Sequence, residues 1–306
     1  MQEYDVVIVG GGPAGLTAGL YTSRYGINTL LIERGLYGGQ IVNARSVENY
    51  PGFPQGVSGM DLGQLMYDQA IKYGLRAEST EVTAFTSLNE NFRIEVENGE
   101  IVAKSVIIAT GSNYRKLGVE GEDRLLGRGV SYCATCDGFL FKNMDVAVVG
   151  GGDTAVMDAL ELCEYASNVY LIHRRHELRA SEINQKRAFN QPKIKFIWDS
   201  VIVGIEGKEK VENLKLKNVK TEEYFPLKVS GIFVAIGLLP NSELFKDIVE
   251  LDDNGNIVTD ELMQTSKSGI FAAGDVRKNS ARQVATAVGD GATAAKSAFR
   301  CLKGLV

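Results

Sequence analysis

Residues 5–15 read DVVIVGGGPAG and residues 145–155 read DVAVVGGGDTA, identical at six of eleven positions. Each copy is a β-branched run, a glycine cluster, and a segment with apolar residues at helical spacing: Leu16 and Leu20 after the first, Val156 and Leu160 after the second. That is the strand, tight turn and helix of a dinucleotide-binding unit, in which the glycines let the backbone approach a pyrophosphate. The repetition implies two nucleotide sites. Downstream of each copy lies an echo, Ser105 to Gly111 (SVIIATG) and Gly231 to Gly237 (GIFVAIG), apolar runs that read as buried strands closed by a glycine. The nesting of these segments predicts an α/β chain of two Rossmann-like domains of the three-layer ββα type, one inserted into the other. Residues 113–240 form the insert, and 1–112 with 241–306 form the host, with linkers at Ser112-Asn113 and Leu239-Pro240-Asn241. The β-rich stretches Glu81 to Ser87, Phe92 to Val96, Ile101 onward and Ile202 to Phe225, with Asn98-Gly99 as a hairpin turn, add antiparallel layers to the parallel cores.

The two glycine motifs lead to strands that end differently. After Gly10, Gly12 and Gly15, the next apolar run, Thr29 to Ile32, ends in Glu33. A carboxylate there accepts hydrogen bonds from ribose hydroxyls and repels an added 2′-phosphate, so the first site suits an adenosine without that phosphate. After Gly150, Gly152 and Ala155, the run Val169 to Ile172 ends instead in His173-Arg174-Arg175, with Arg179 close behind. Guanidinium groups bind phosphate bidentately and stay charged, so Arg174, Arg175 and Arg179 suit the 2′-phosphate of NADPH. The competing reading is a solvated basic patch.

Cys133-Ala134-Thr135-Cys136 has the spacing of a redox disulfide. A zinc site completed by His173 and His176 is the competitor, but the gap spans a whole glycine turn and helix, and arginines crowd the histidines, so no metal is expected. Asp137 follows the second cysteine as an available acid for a departing thiolate, or as a turn aspartate. Cys163, in a helix expected over Val156 to Ala166, and Cys301 read as small buried hydrophobes.

With 306 residues, 44% apolar and 23% charged, the composition is that of a globular chain of roughly two domains. A net charge of -5 disfavours nucleic acid as a partner. No apolar run approaches the roughly 18 residues needed to cross a bilayer, and the start Met1-Gln2-Glu3-Tyr4-Asp5 carries no export signal. The expectation is a cytoplasmic protein in which four cysteines are too few for a disulfide-stapled scaffold.

The whole chain resembles the low-molecular-weight, bacterial-type thioredoxin reductases. The resemblance rests on GGGPAGL at 10–16, GGQ at 38–40, ENYPGFP at 48–54, ATG at 109–111, CATCDG at 133–138, GGGDTA at 150–155, HRR at 173–175 and FAAGDV at 271–276. It implies that Gly12, Glu33, Gln40, Asn49, Asp275, Arg282 and Gln283 touch FAD; locally, Asp275 ends a short apolar run and precedes a helical segment Ala281 to Leu302. Cofactor binding would also draw on Gly10, Pro13, Ala14, Gly15, Arg34, Val82, Ala109, Thr110, Gly111 and Gly274 in the host, and on Gly152, Asp153, Thr154, His173, Ile236 and Gly237 with the three arginines in the insert. The resemblance implies that Cys136 faces the flavin, Cys133 attacks the partner and Asp137 is the general acid. It also implies a homodimer, thioredoxin as partner, and rotation of one domain against the other at the linkers. Two residues depart from the pattern: His176 stands where relatives usually carry aspartate, and Met157 where glutamate is common. Phe139 and Leu140, just past CATCDG, read as core packing before partner contact. Rival readings are a related flavoprotein with another acceptor, such as a small-molecule dithiol oxidase, and a non-catalytic FAD redox sensor.

Overall fold

In the computed structural model, which describes residues 2–44, 46–89 and 91–305, the chain divides into two compact units: Met1–Asn113 with Leu239–Val306, and Tyr114–Leu238.

The first unit is built on a seven-stranded sheet. The strands Arg76–Ser79, Thr29–Glu33, Gln2–Val9 and Gly99–Ile108 lie side by side in that order, all parallel, and Ile270–Ala272 pairs with the far half of Gly99–Ile108. The near half of Gly99–Ile108 instead pairs antiparallel with Phe92–Val96, which pairs with Val82–Ser87. Ten residues are long enough for one strand to serve both layers. Val96 faces Gly99 in the register, so the tight turn falls at Glu97-Asn98, one residue earlier than the sequence suggested.

Alternation along the central strands sends side chains to opposite faces. Val6, Ile8, Leu31 and Ile107 pack with the helices Pro13–Arg24, Gly59–Lys72 and Val284–Leu302 through Leu16, Ala18, Ala70, Ala294 and Ala298. Val7, Val9, Leu30, Ile32 and Ile108 pack on the other side against Phe85, Phe92, Phe245 and Ile257. Each fully buried aliphatic side chain contributes about 1.5–3 kcal/mol, which fixes the strands' facing. Alanines on Val284–Leu302 let that helix lie close to Pro13–Arg24.

The second unit repeats the plan. Its parallel sheet runs in the order Ile194–Ile197, Asn168–Ile172, Asp145–Val149, Gly231–Val234 and Val130–Ser131. Val146, Val148 and Phe233 face the helix Asp153–Leu162, while Ala147, Val149, Ile232 and Val234 face Leu214 and Leu216 of an antiparallel layer. That layer is Ser200–Glu206, Asn213–Asn218 and Tyr224–Lys228.

Two helices are shorter than the sequence suggested. The one expected to reach Ala166 ends at Leu162, leaving Cys163 as its C-cap. The last begins at Val284, because Arg282 is left-handed at φ 56 and Gln283 is extended and caps the helix in a box with Thr286. No helix among the described residues is long and apolar enough to cross a membrane.

Candidate active site

In the first unit the glycine turn leaves the strand Gln2–Val9 at its carboxyl end. Gly10 is left-handed, and a Cβ there would lie 2.3 Å from the Ala109 carbonyl oxygen; a Cβ on Gly15 would lie 1.8 Å from that of Gly10. These two glycines serve strand-to-helix packing. Gly12 differs: the nearest atom to its Cβ position is Gly39 Cα at 4.0 Å, so the turn is open there. The helix behind it has Pro13 at its start and no side-chain cap, so its first N–H groups are available to an anion.

The other expected host residues gather at the same sheet edge. Glu33 Oε2 accepts from Gly11 N at 2.6 Å and Oε1 from Gly35 N at 2.7 Å, which aims the carboxylate over the turn. Arg34 pairs with Glu81 at the surface, whereas Val82 is buried and offers only its main chain. Gly38 N donates to Gly11 O, setting Gly39 and Gln40 beside the turn, and Gln40 Nε2 donates to Asn113 Oδ1. Thr110 Oγ1 donates to Asn241 O beside Ala109 and left-handed Gly111. Asn49 Nδ2 donates to Gln283 Oε1 at 3.0 Å, joining two residues 234 positions apart. Asp275 accepts from Ser280 Oγ, which also accepts from Arg282 N, and burial pushes the Asp275 carboxyl up. Left-handed Gly274 leaves a Cβ position only 3.0 Å from Ala14 Cβ.

The second unit holds a matching turn. A Cβ on Gly150 would meet Ala235 O at 2.3 Å, while one on Gly152 would meet nothing within 4 Å. Asp153, first in the helix, accepts from Ser181 N, Ser181 Oγ and Asn184 Nδ2, and these bonds hold its carboxyl low; Thr154 beside it is exposed. His173 is buried beneath the turn: a Cβ on Gly151 would lie 2.3 Å from its ring, and its Nε2 has no partner. Burial, with Arg179, Arg175 and Arg174 adding, depresses its pKa and favours a neutral ring. Arg174, Arg175 and Arg179 are exposed, and among the described residues none forms an ion pair with a carboxylate. Ile236 packs against the β-side core, and left-handed Gly237 accepts from Arg115 N. Two open glycine cradles, one beside a carboxylate and one beside unpaired guanidinium groups, fit a pair of dinucleotides of different kinds.

Also in the second unit, Cys133 and Cys136 are joined by a disulfide, their Cα atoms 5.3 Å apart. Cys133 caps the short helix Ala134–Asp137 by accepting from Cys136 N at 3.2 Å. Asp137 Oδ2 accepts from Ser131 Oγ at 2.6 Å, and burial pushes this carboxyl up against the pull of that hydrogen bond. An acid that keeps its proton more readily than usual therefore stands one residue from the disulfide.

A disulfide turn and two nucleotide cradles on one chain are matched by known proteins. Residues 4–291 match the pyridine nucleotide-disulphide oxidoreductase family. A thioredoxin reductase of Listeria monocytogenes is 46% identical over 99% of this chain and 95% of its own length. The chain belongs to the thioredoxin reductases of that family. A solved thioredoxin reductase of Streptococcus pyogenes, 44% identical, covers 99% of both chains with a TM-score of 0.94. That of Lactococcus lactis in its FR conformation, 46% identical over 99% of this chain and 100% of its own, gives 0.68. As a thioredoxin reductase the chain is an FAD- and NADPH-dependent oxidoreductase, and Cys133–Cys136 is its redox-active pair.

Several residues of this thioredoxin reductase escaped the sequence. Tyr132 OH donates to Glu122, a buried carboxylate that also accepts from Leu117 N and Gly118 N, pinning the strand that leads to Cys133. Burial raises the Tyr132 pKa, keeping the phenol a donor. Asp199 accepts from Lys220 Nζ at 2.9 Å and lies 3.0 Å from His176 Nδ1, so the unusual His176 has a carboxylate partner. Both come from long-range pairings that no local motif announces. Phe139 and Leu140, read as core, are 37% and 57% exposed: the short helical turn Gly138–Phe141 buries Phe141 and turns its two predecessors outward. Cys163 is buried as expected, while Cys301 is only partly so.

Proposed function

We propose that the chain reduces the disulfide of thioredoxin with electrons from NADPH, using FAD in the Met1–Asn113 and Leu239–Val306 unit and NADPH in the Tyr114–Leu238 unit. The observation that carries the reading is the Cys133–Cys136 disulfide with a proton-retaining Asp137 beside it, on the same unit as the Arg174, Arg175 and Arg179 cluster. Bound FAD supplies the two-electron relay between nicotinamide and disulfide. Gly12, Glu33, Gln40, Asn49, Asp275, Arg282 and Gln283 hold it; Gly152 opens the pyrophosphate cradle for NADPH, and the arginines take its 2′-phosphate.

In the reduced enzyme the Cys133 thiolate attacks one sulfur of the thioredoxin disulfide. The other sulfur leaves as a thiolate and takes the Asp137 proton. Cys136 then attacks Cys133 Sγ, which re-forms the enzyme disulfide and releases the second thioredoxin sulfur. Cys136 would be the sulfur that takes electrons from bound FAD. Exposed Phe139 and Leu140 offer apolar contact to thioredoxin beside the reacting thiol. The chain passes between its units only twice, at 113–114 and 238–239, so few torsions need change for a hinge there to bring nicotinamide and disulfide in turn to one flavin. Exposed Tyr21, Leu65 and Ile71 on two neighbouring helices, with Tyr25 capping the first, supply apolar surface for a second copy, and the assembly is a cytoplasmic homodimer.

Anaerobic stopped-flow absorbance tests the reading. Flavin should bleach quickly with NADPH, more slowly with NADH, and recover on adding thioredoxin, with recovery lost in Cys133→Ser and Cys136→Ser. Bleaching without thioredoxin-dependent recovery would move the function to another acceptor, and no bleaching by either nucleotide would remove the second site.

A further inference from the structure

Ser131 lies on the strand Val130–Ser131, two residues before the disulfide, and is 4% exposed. Its hydroxyl makes three contacts: Oγ to Asp137 Oδ2 at 2.6 Å, Oγ from Cys133 N at 3.1 Å, and Oγ to Cys133 O at 3.3 Å. A serine hydroxyl has one hydrogen and two lone pairs, so it cannot donate to both oxygens at once. When Asp137 is ionised, its carboxylate is the stronger acceptor and takes the hydrogen. A protonated Asp137 would itself donate to Oγ, and the serine hydrogen would then turn to Cys133 O. The Cys133 N–H bond survives in both arrangements.

We propose that Ser131 is a positioning residue for proton transfer at the redox disulfide: its hydroxyl ties Asp137 to the Cys133 main chain and reverses direction as the carboxyl gives up and regains its proton. This rests on the reading of Asp137 as the proton donor to the departing sulfur. The device matters because a buried polar group left unpaired costs free energy, and a carboxyl with a partner in only one protonation state is trapped in that state. Here neither state is left unpaired. One proton moves from Asp137 to the first leaving thiolate, and one returns from the Cys136 thiol as it attacks Cys133 Sγ, the second thioredoxin sulfur leaving as a thiolate.

Few other charges act on this carboxyl. The helix Asp153–Leu162 packs against the turn and contributes Asp153, Asp158 and Glu161. Asp153 is bound by Ser181 and Asn184, and Glu161 accepts from Thr135 Oγ1 at 3.0 Å. Asp158, pushed up to about 7 by burial and by Glu161, titrates in the working range and needs its own control. The turn Gly138–Phe141, which also packs here, carries no charged residue.

The test is the pH profile of thioredoxin turnover in FAD-loaded, full-length wild type, Ser131→Ala, Ser131→Thr, Asp137→Asn and Asp158→Asn, with NADPH-driven flavin bleaching as the check on folding. Ser131→Ala should lose about tenfold in turnover and move every limb owned by Asp137 to higher pH, because the bond that favours the carboxylate is gone. Ser131→Thr, which keeps the hydroxyl, should stay near wild type. Asp158→Asn should leave those limbs in place. A wild-type profile in Ser131→Ala, with the limb lost in Asp137→Asn, would overturn the proposal and leave the Asp137 reading standing. An unchanged rate and profile in Asp137→Asn would overturn both. Should Ser131→Ala not accumulate as folded protein, Ser131→Gly is read by the same criteria.

Discussion

Arg277 and Asp290 form a two-point ion pair, Nε to Oδ2 at 2.6 Å and Nη2 to Oδ1 at 2.8 Å, with side chains only 16% and 9% exposed. Asp290 Oδ2 also accepts from Gly274 N at 3.1 Å, so the pair fastens the Gly274-Asp275 loop to the helix Val284–Leu302. Removing one partner strands a buried charge, which costs about 3–5 kcal/mol. Asp290→Ala should lower stability by that order in urea unfolding and release FAD on gel filtration. Arg277→Met combined with Asp290→Leu should cost less than either charge deletion alone. A loss below about 1 kcal/mol would mean that water screens the pair as at a surface.

The glycines of the repeat divide into tightly packed and open positions, and alanine separates them. Gly15→Ala places a methyl 1.8 Å from the Gly10 carbonyl oxygen, so helix and strand must part. Overpacking of this kind costs about 1–3 kcal/mol or more, and the variant should express poorly or melt early. Gly12→Ala and Gly152→Ala meet no such clash. They should fold with wild-type melting in the absence of ligand, the first with reduced FAD content and the second with normal FAD and a raised KM for NADPH. Full FAD and unchanged KM in both would show that neither cradle receives a pyrophosphate.

Under the proposed function, Arg174 and Arg175 carry the choice between NADPH and NADH. Asp199, the carboxylate near their loop, is occupied by Lys220 and lies against His176, and these partners hold its pKa low. It therefore does not neutralise the arginines. A charge-assisted hydrogen bond is worth about 1.5–3 kcal/mol, so either arginine to alanine should raise the KM for NADPH by roughly 10- to 100-fold and leave that for NADH unchanged. Steady-state kinetics with both nucleotides reads this directly. Equal effects on the two would place the arginines on the pyrophosphate instead.

The repeat made the fold legible because a parallel strand, a glycine turn and a helix are contiguous, and each imposes its own local pattern. Glu33, the arginines and the disulfide were legible for the same reason: each stands at a fixed short offset from such an element. The residues that tune them were not. Ser131 acts on Asp137 only because a short helix folds Asp137 back beside the strand, and Glu122 reaches Tyr132 across ten positions. Asp290 left one trace, an acid on a helix face otherwise lined with Ala287, Gly291 and Ala294, where a charge demands a partner. Phe139 and Leu140 misled because apolar character says nothing of direction in a single turn.

Asp158 makes stability depend on pH in an unusual sense. Burial, with Glu161 adding, pushes its carboxyl from 3.8 up to about 7, so folding favours the neutral form. Below about pH 4 the group is neutral in both folded and unfolded chains and its full contribution is present. As pH rises through about 7 the folded protein must ionise a carboxyl in a poor environment, and that contribution is lost. Asp158→Asn keeps the shape without the charge. At pH 4 it should match wild type within about 0.5 kcal/mol, and at pH 8 it should be the more stable by on the order of 2–4 kcal/mol, since each tenfold change in proton affinity on folding is worth about 1.4 kcal/mol. Urea unfolding at the two pH values measures the difference. A gap that does not widen with pH would mean that water reaches Asp158 freely, and the neutral acid beside the redox helix would have to be given up.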